Sequence, residues 1–582
     1  MKNIVLNISS FWDKLVRKYG DTFYYPALLG TLGCIGLIPL LYPGIPQGHD
    51  LFFHLSRLQG MLDALNDGVF PIRINFSALD GYGYASGLFY PDFFAYIPVF
   101  LAKMGLPLLA SYKLFIFIWW FFASFSMYFA LLKMGIEKFG AFAGALLYGW
   151  SSYFATDIFN RAAFGEVLAF PFIPMVILGL FNLIYAEPKK CFPLIFGFSA
   201  LFLAHQITFI LICLISFLWV ALNITRLLNK PERIIFAFIS VFITFALVSF
   251  FFFPMLEQMQ YMEYNLTTKT IKGTIIERAV PFTRLWLEMP YMKLEYWIPP
   301  GIGIIFLIVA SQRLNLTLPQ NIHKRAGDGM LIIGFGCLLA ATNFLPWEGM
   351  MKVLAGIQFP WRFYLPATAF LAAGGGFIIS QLTRNEIPKI CYWTWILLIG
   401  CGFAWYLNVA YTYAAKIHEN KMLTTFSPSM AGRLVASGVH YLPSGMEIED
   451  IEERGKVVLS KNVIKIKSDY ANNGETTLSF EENSSDNQLE FPIIPYKGYA
   501  AELILPGNSP TELPIAISSN SLLSVNIPKE YNTGKIHIYY RGTLIQKFSA
   551  IFSGLFLLGI CVYKLISVRR YGFIKTKNTS SN

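Results

Sequence analysis

An acid, an imidazole and a guanidinium follow one another at helical spacing just after the first apolar segment of the chain. Asp50, His54 and Arg57 stand at positions i, i+4 and i+7 within 48–57. If this stretch is helical, the three side chains share one face. A carboxylate beside positive groups stays ionised and can accept a proton from a hydroxyl. The alternative is a solvated, salt-bridged face of a surface helix, because charges at this spacing are common on exposed helices.

Glycine, aromatic and charged residues continue along the chain after this stretch. They occur in 66–75, in the glycine and tyrosine repeat 81–84, and in 89–92. Aromatic faces can stack on pyranose rings while polar groups hold the hydroxyls, so this composition is typical of a sugar site. The residues of this region that we expect to bind substrate are His49, Arg57, Arg73, Tyr90 and Asp92.

A second group of charges lies near the end of a later apolar segment, in 157–166. Asp157, Arg161 and Glu166 are unfavourable at a membrane boundary unless they pair or face a wet cavity, so they are functional candidates. The alternative for Asp157 is a helical pair with Arg161 that only anchors the interface. Other polar residues at the ends of apolar segments are His205, Glu257, Trp361 and Arg362.

Long apolar segments make up most of the sequence around these polar side chains and must form the helices that position them. Hydrophobic residues make up 55% of 582 positions and charged residues only 14%, whereas a soluble domain carries about 25% charged residues. Runs of roughly 17 to 25 apolar residues, long enough to cross a bilayer, recur along the chain. The sequence predicts about twelve membrane helices: 26–43, 109–132, 139–155, 164–185, 191–205, 207–225, 234–256, 299–312, 328–345, 361–383, 389–411 and 548–567.

Lysine and arginine concentrate in every second connection, which places those connections and both termini in the cytoplasm. The polar helix ends then share the outer face, which suggests one cavity open to the exterior. The short apolar stretch 93–106 would disturb this alternation as a span, so we expect an interfacial helix there. The cytoplasmic termini are 1–25 and 568–582, the membrane module is 26–411, and the outer connections are 44–108, 257–298 and 412–547.

The outer connection 412–547 differs in composition from the rest of the chain. Short alternating or β-branched stretches separated by Asn, Gly and Pro turns predict an extracytoplasmic β-sandwich or jelly roll. The fold class is therefore an all-α polytopic membrane protein with a C-terminal β-rich domain. Because the domain is nearly neutral, the net charge of +11 belongs to the membrane part and indicates no nucleic-acid partner. The predicted strands are 456–459, 463–466, 476–480, 503–505, 522–527 and 535–540.

Several of these motifs together resemble a bacterial multi-pass membrane family labelled "6-pyruvoyl-tetrahydropterin synthase-related". The exported domain, with 495–499, is also similar to the YfhO-like membrane proteins. The family labelled "6-pyruvoyl-tetrahydropterin synthase-related" looks like a branch of the GT-C glycosyltransferases, which use polyprenyl-phosphate-linked sugars on the outer side of the membrane. The segments that carry the resemblance are 48–57, 71–75, 81–84, 90–92, 161–166, 204–206 and 358–362.

The resemblance implies specific roles for these residues. Asp50 matches the first catalytic acid of such enzymes, with His54 beside it, and Asp157 or Glu166 matches the second. Arg362, with Arg161, would bind the carrier phosphate, because guanidinium matches phosphate oxygens bidentately. The chain has no Asp-x-Asp pair at either acid position, so a divalent metal is possible but not indicated. The other expected substrate-binding residues are His205, Glu257 and Trp361.

The favoured function is a membrane glycosyltransferase in a bacterial cell membrane. It would move a sugar from a polyprenyl-phosphate carrier to an extracytoplasmic glycan or envelope polymer, since nucleotide sugars stay in the cytoplasm. One alternative is a lipid or polysaccharide transporter or flippase, which should carry polar residues at mid-membrane depth in several helices. The other alternative is a non-catalytic scaffold for envelope assembly.

Overall fold

The apolar segments of the sequence form helices, and the polar C-terminal region forms strands. The structure is a computed structural model, which describes residues 20–268, 279–282, 313, 322–347, 349, 355–384, 388–426, 439–472 and 474–579. The chain divides into two compact units. The first unit comprises Met1–Leu55, Asp92–Ser240 and Ile271–Ser427, and the second comprises Ser56–Pro91, Val241–Thr270 and Pro428–Asn582.

Helices account for most of the described chain. The α-helices are Asp21–Gly36, Leu51–Asn66, Ser86–Phe89, Tyr96–Lys103, Leu108–Lys133, Lys138–Gly149, Ser152–Ala155, Phe164–Ala169, Ile173–Ile184, Phe192–Ala204, Gln206–Leu222, Ile224–Leu228, Pro231–Tyr261, Asn265–Thr268, Ile322–Ala340, Tyr364–Arg384, Pro388–His418, Ile448–Arg454 and Leu544–Thr579. A π-helical turn spans Thr156–Arg161. The 3-10 turns are Ile38–Leu41, Leu79–Gly81, Phe170–Phe172, Pro188–Lys190, Ala355–Ile357, Pro360–Phe363 and Val439–Tyr441.

Six helical segments of the described chain are long and apolar enough to cross a membrane. This confirms the prediction of a mainly helical protein with several apolar helices of spanning length. Phe23–Gly36 and Gln206–Leu222 are apolar but shorter. The predicted helix 299–312 lies outside the described residues, as does most of the predicted outer connection 257–298. The six segments are Leu108–Lys133, Phe164–Ile184, Pro231–Tyr261, Pro360–Leu382, Ile396–His418 and Leu544–Tyr563.

Two predicted helices are interrupted for local reasons. The first α-helix ends at Gly36 and continues only as the 3-10 turn Ile38–Leu41, where Pro39 has no amide hydrogen to donate. The predicted helix 139–155 breaks at Trp150, because the Ser151 hydroxyl accepts a hydrogen bond from Phe154 N–H at 3.3 Å and caps a new helix. The stretch 93–106 is helical over the eight residues Tyr96–Lys103, which are too few to cross a bilayer.

Helices of the first unit approach one another where glycine removes the side chain. Gly140 and Gly376 face each other between the helices Lys138–Gly149 and Tyr364–Arg384. A Cβ atom on Gly140 would lie 2.6 Å from the Gly376 carbonyl oxygen. Apolar helices in a lipid environment associate mainly through such close van der Waals packing.

The C-terminal part of the second unit forms two antiparallel sheets. The strands of the described chain are β1 (Ile45–Pro46), β2 (Met422–Leu423), β3 (Leu459–Ser460), β4 (Lys465–Asn472), β5 (Glu475–Glu481), β6 (Asn487–Glu490), β7 (Tyr499–Ile504), β8 (Thr511–Leu513), β9 (Ile515–Ile517), β10 (Leu523–Ile527) and β11 (Gly534–Tyr540). One of the two sheets has the order β4-β5-β11-β7-β8 and the other β3-β6-β10-β9. The short strands β1 and β2, earlier in the chain, pair with each other.

Both sheets contribute to one apolar core, which is the arrangement of a β-sandwich. Leu478 and Ile536 come from the five-stranded sheet, and Leu489 and Val525 come from the four-stranded sheet. All four side chains are buried. The sequence did not predict β6, β8 and β9, nor the helix Ile448–Arg454, which begins with a capping box formed by Glu447 and Asp450.

Gly334 and Gly336 on the helix Ile322–Ala340 provide a matched test of the helix packing. A Cβ atom on Gly334 would lie 2.5 Å from Leu371 Cγ, whereas nothing lies within 4 Å of one on Gly336. We expect Gly334→Val to destabilise the protein by roughly 1–3 kcal/mol through overpacking, and Gly336→Val to cost much less. Thermal unfolding of the purified protein in detergent measures both. Equal unfolding midpoints would contradict the packing.

Candidate functional site

The π-helical turn Thr156–Arg161 organises the polar residues of the first unit. It ends at Ala162, whose φ of 52° lies in the left-handed region, and Ala163 N–H donates to the Asp157 carbonyl at 2.9 Å. A π turn widens the helix by one residue and frequently occurs at functional sites. Asp157 and Arg161 project from this turn, and Glu166 follows on the next helix, Phe164–Ala169.

Arg161 holds both carboxylates of this region. Its Nη1 donates to Asp157 Oδ1 at 2.6 Å, and its Nη2 donates to Glu166 Oε1 at 3.0 Å. Tyr153 joins them, because its hydroxyl donates to Glu166 Oε2 at 2.5 Å and accepts from Arg161 Nη1 at 3.1 Å. All four residues are buried. The helical pair of Asp157 and Arg161 therefore exists, but it is part of a larger buried cluster and not an exposed anchor.

Arg362 reaches the same cluster from the 3-10 turn Pro360–Phe363. Its Nε donates to Glu166 Oε1 at 3.2 Å. Its Nη1 donates to the Ile357 carbonyl and to Gln358 Oε1, each at 2.9 Å. No described residue accepts a hydrogen bond from the remaining nitrogen, Nη2. Glu166 thus accepts hydrogen bonds from two guanidinium groups, and Arg362 keeps donor capacity for a further group.

An aromatic pair supports the Arg362 side chain. The Phe359 and Trp361 rings stack with centroids 4.6 Å apart, and the Arg362 guanidinium carbon lies 5.0 Å from the Phe359 ring centre. A guanidinium over an aromatic face is stabilised by the ring quadrupole. The Phe359 ring therefore contacts Arg362, and Trp361 packs against Phe359.

The segment before Asp50 lies directly against the π turn. Asp50 N–H donates to the Arg161 carbonyl at 3.0 Å, and β1 pairs with β2 just before it. A Cβ atom on Gly48 would lie 2.6 Å from the Asn160 carbonyl oxygen, so only glycine allows this approach. Backbone contacts, namely the Asp50 N–H to Arg161 hydrogen bond and the close approach at Gly48, set the position of Asp50.

Asp50 is the partly exposed carboxyl group at this site. Burial raises the pKa of the Asp50 carboxyl above its usual value, and the positive charges of Arg161 and Arg362 offset this only in part. A carboxylate with a raised pKa is a stronger proton acceptor than a solvated aspartate. Its partial burial therefore suits Asp50 to general-base chemistry.

Two buried polar side chains of the π turn keep unused hydrogen-bonding capacity. Asp157 Oδ2 and the amide group of Asn160 have no hydrogen-bond partner among the described residues. Both side chains are almost fully buried. Buried polar groups of this kind usually bind a ligand or an ordered water molecule.

The other predicted residues of the first unit differ in their surroundings. His205 connects two helices, and its Nδ1 lies 2.8 Å from Thr208 Oγ1. It interacts electrostatically with Glu166, Arg161 and Arg362, so it belongs to the cluster. His54 N–H donates to the Asp50 carbonyl at 3.1 Å, and the imidazole packs 5.4 Å from the Phe164 ring. His49 is exposed, and Asp92 is buried.

Four predicted residues belong to the second unit. Arg57 is buried, donates to the Pro91 carbonyl at 2.9 Å and lies 4.4 Å from the Tyr90 ring centre. The alternative of a solvated helix face is therefore wrong for His54 and Arg57, because both are only about 5% exposed. Glu257 pairs with Lys497 at 3.3 Å and accepts from the Thr543 hydroxyl at 2.5 Å. The fourth is Arg73, which lines a cavity.

Sequence reasoning missed Tyr153, Asn160 and Gln358. Tyr153 stands four residues before Asp157, so helical spacing could have indicated it. Gln358 precedes Arg362 by the same interval. Asn160 carries no comparable signal, because its position depends on the π turn.

Metal binding has no ready-made site in the part of the chain that the structure describes. No group of three His, Cys, Asp or Glu residues there could hold a metal ion. Asp157 and Glu166 are neutralised by arginine instead. The possible divalent metal therefore gains no support from these residues.

Comparison with known proteins adds one relative. No family model matches the chain. The chain is 25% identical to a protein of Lactococcus lactis subsp. cremoris (strain MG1363) described as an uncharacterized protein. The alignment covers 96% of this chain and 97% of that protein, so the similarity extends over both the helical and the β-rich regions.

The buried charges allow a test of their mutual dependence. Arg161→Met removes the guanidinium that pairs with buried Asp157, so we expect it to destabilise the protein by about 3–5 kcal/mol. Adding Asp157→Asn should recover part of this loss, because Glu166 keeps Arg362 as a partner. Thermal unfolding in detergent measures the three proteins. Lys190→Met, at an exposed pair with Glu187, is the control and should unfold like the wild type. A double variant less stable than Arg161→Met would contradict the pairing.

Proposed function

We propose that this protein is an integral membrane glycosyltransferase of the GT-C type. It transfers a sugar from a polyprenyl-phosphate carrier to a glycan or polymer of the bacterial envelope. The observation that carries the proposal is Asp50, a partly exposed carboxyl group with a raised pKa, placed by its backbone against buried Arg161. The motif resemblance and the apolar helices agree with it.

Asp50 is the general base in the proposed reaction. Its carboxylate takes the proton from an acceptor hydroxyl, whose oxygen forms a bond to the anomeric carbon of the donor sugar. The bond from that carbon to the phosphate oxygen breaks, and the electron pair leaves with the polyprenyl phosphate. The proton remains on the Asp50 carboxyl group, and the step involves no oxidant or reductant.

Arg362 is the residue that we assign to the carrier phosphate. Its Nη2 has no acceptor among the described residues, and a guanidinium stabilises the charge that develops on a departing phosphate. Arg161 differs, because both its terminal nitrogens already donate to Asp157, Glu166 and Tyr153. We therefore assign Arg161 to positioning Asp157 and Glu166 rather than to direct phosphate binding.

The proposed topology has about twelve membrane spans, with the β-sandwich and the region around Asp50 outside the cell. The one-sided distribution of lysine and arginine supports this orientation. An outer site requires a lipid-linked donor, because sugar nucleotides stay in the cytoplasm. The β-sandwich would then engage the acceptor glycan.

Replacing Asp50 by asparagine tests the proposed chemistry. Asp50→Asn keeps the shape of the side chain but removes the proton acceptor, so transfer should fall by a factor on the order of 10² to 10⁴. The measurement is the amount of glycan product and accumulated sugar-lipid in a deletion strain that expresses each variant at equal membrane level. Asp63→Asn is the matched control, because the Asp63 carboxylate accepts a hydrogen bond from the Gln59 amide and takes no part in the proposed reaction.

Three outcomes of this test are distinct. Loss of transfer in Asp50→Asn alone supports Asp50 as the base. Full transfer in Asp50→Asn means that the base lies elsewhere, with Asp157 and Glu166 next to test. If all three carboxylates are dispensable, the glycosyltransferase proposal fails in favour of a transporter or a scaffold.

The proposed orientation is tested by cysteine labelling of intact cells. Single cysteines at Asp80 and Lys324 are introduced into a cysteine-free variant, because the native Cys34 and Cys561 are exposed. A membrane-impermeant maleimide should label position 80 in intact cells and position 324 only after lysis. The reverse pattern would overturn the orientation. It would not decide the role of Asp50, which the Asp50→Asn measurement tests separately.

A further inference from the structure

A cavity of about 450 Å³ lies in the second unit, where the last strand of the β-sandwich leads into the terminal helix Leu544–Thr579. Its wall is built by residues of 69–76, 474–475 and 539–550. This volume is within the range of sites for small molecules, roughly 300–1,000 Å³. None of the lining residues belongs to the buried charge cluster of the first unit.

Two glycines in the left-handed region shape the wall of the cavity. Gly474 has a φ of 81°, and a Cβ atom there would lie 2.2 Å from Phe76 Cε1. Gly542 has a φ of 71°, and a Cβ atom there would lie 2.8 Å from Gln546 Oε1. Any larger residue would be strained at both positions and would displace a lining side chain.

The lining carries an excess of positive charge. Arg73, Arg541 and Lys547 face one carboxylate, Glu475. Arg541 is compensated by Glu512 at 2.9 Å, but Lys547 forms no ion pair with any residue that the structure describes. A concave site with cationic side chains favours an anion, and phosphate oxygens are strong acceptors for such groups.

Apolar surface begins at the same turns of the terminal helix. Lys547 and Ala550 line the cavity, while Phe548 and Ile551 are 68% and 59% exposed. The segment Leu544–Tyr563 is one of those with the length and composition of a membrane span, and only 17% of it is buried. A phosphate in the cavity would therefore lie where this helix enters a bilayer, at the depth of lipid headgroups.

The start of the terminal helix is held firmly in the second unit. Ser553 Oγ lies 2.7 Å from Ser249 Oγ, and the Thr543 hydroxyl donates to Glu257 at 2.5 Å. Gln546 donates to the Tyr540 hydroxyl at 2.8 Å across the wall of the cavity. The cationic side chain of Lys547 thus projects from a fixed helix.

We propose that this cavity binds the phosphoryl headgroup of an anionic membrane amphiphile. Lys547 and Arg73 neutralise the phosphate, while exposed Phe70 and the apolar face of the terminal helix contact the lipid chain. The proposal does not depend on glycosyl transfer, because it uses neither Asp50 nor Arg362. Arg73 is the one residue of the cavity that the sequence also indicated for substrate binding. The amphiphile can be an anionic phospholipid or a phosphorylated polyprenol, since both present the same group at the same depth.

Native mass spectrometry of the full chain in a nonionic detergent tests this proposal. The protein is titrated with phosphatidylglycerol, phosphatidylcholine, a short polyprenyl phosphate, glycerol phosphate and a neutral oligosaccharide. Two variants change the cavity differently: Lys547→Glu reverses a lining charge, and Ala550→Trp fills space without changing charge. Lys461→Glu, at an exposed lysine of the β-sandwich outside the lining, is the control for net charge.

The expected result is binding of phosphatidylglycerol or the polyprenyl phosphate, with an affinity about tenfold lower in Lys547→Glu and Ala550→Trp and unchanged in Lys461→Glu. Comparing the two lipids identifies the source of the headgroup. Equal binding of phosphatidylcholine, equal loss in all three variants, or preference for the oligosaccharide would overturn the proposal. Glycerol phosphate that binds as tightly as the lipids would assign the cavity to a soluble phosphate and also overturn it.

Discussion

Buried charge is the constraint on which the candidate site depends. Asp157, Arg161 and Glu166 have almost no contact with solvent, so each charge must be balanced by another side chain. Arg161 binds both carboxylates, and Glu166 also accepts a hydrogen bond from Arg362. The π turn, the following helix and the turn that carries Arg362 are therefore held in register by one network. Displacing any of them would leave an ion unpaired in an apolar environment.

The residues of this network differ from Asp50 in their proposed roles. Asp157 and Glu166 are neutralised by arginine, and neither carboxylate is exposed. Asp50 lies at the edge of the network, held by its backbone N–H and by the close approach at Gly48. The charges of Arg161, Arg362 and Glu166 act on the Asp50 carboxyl group through space, because no hydrogen bond joins their side chains to it among the described residues. A rigid charge arrangement around a partly exposed carboxyl group is what pre-organised general-base catalysis requires.

The two units achieve stability by different physical routes. In the first, apolar helices approach at Gly140 and Gly376, since close van der Waals packing replaces a hydrophobic driving force between lipid-exposed helices. In the second, alternating apolar residues of two sheets bury one core away from water. The last strand of the sandwich leads into the terminal helix, whose first turns line the cationic cavity and whose exposed side chains are largely apolar.

The sequence by itself determined the helical character, the long apolar helices and most of the longer strands, because these follow from local period and run length. It also indicated Asp157, Arg161 and Glu166, which are neighbours in the chain. Strands such as β8, with three residues, are too short to show an alternating pattern. Only tertiary structure decided that Arg362 binds Glu166, 196 positions away, and that Glu257 pairs with Lys497. Such contacts depend on how distant helices pack, and no local period records that information.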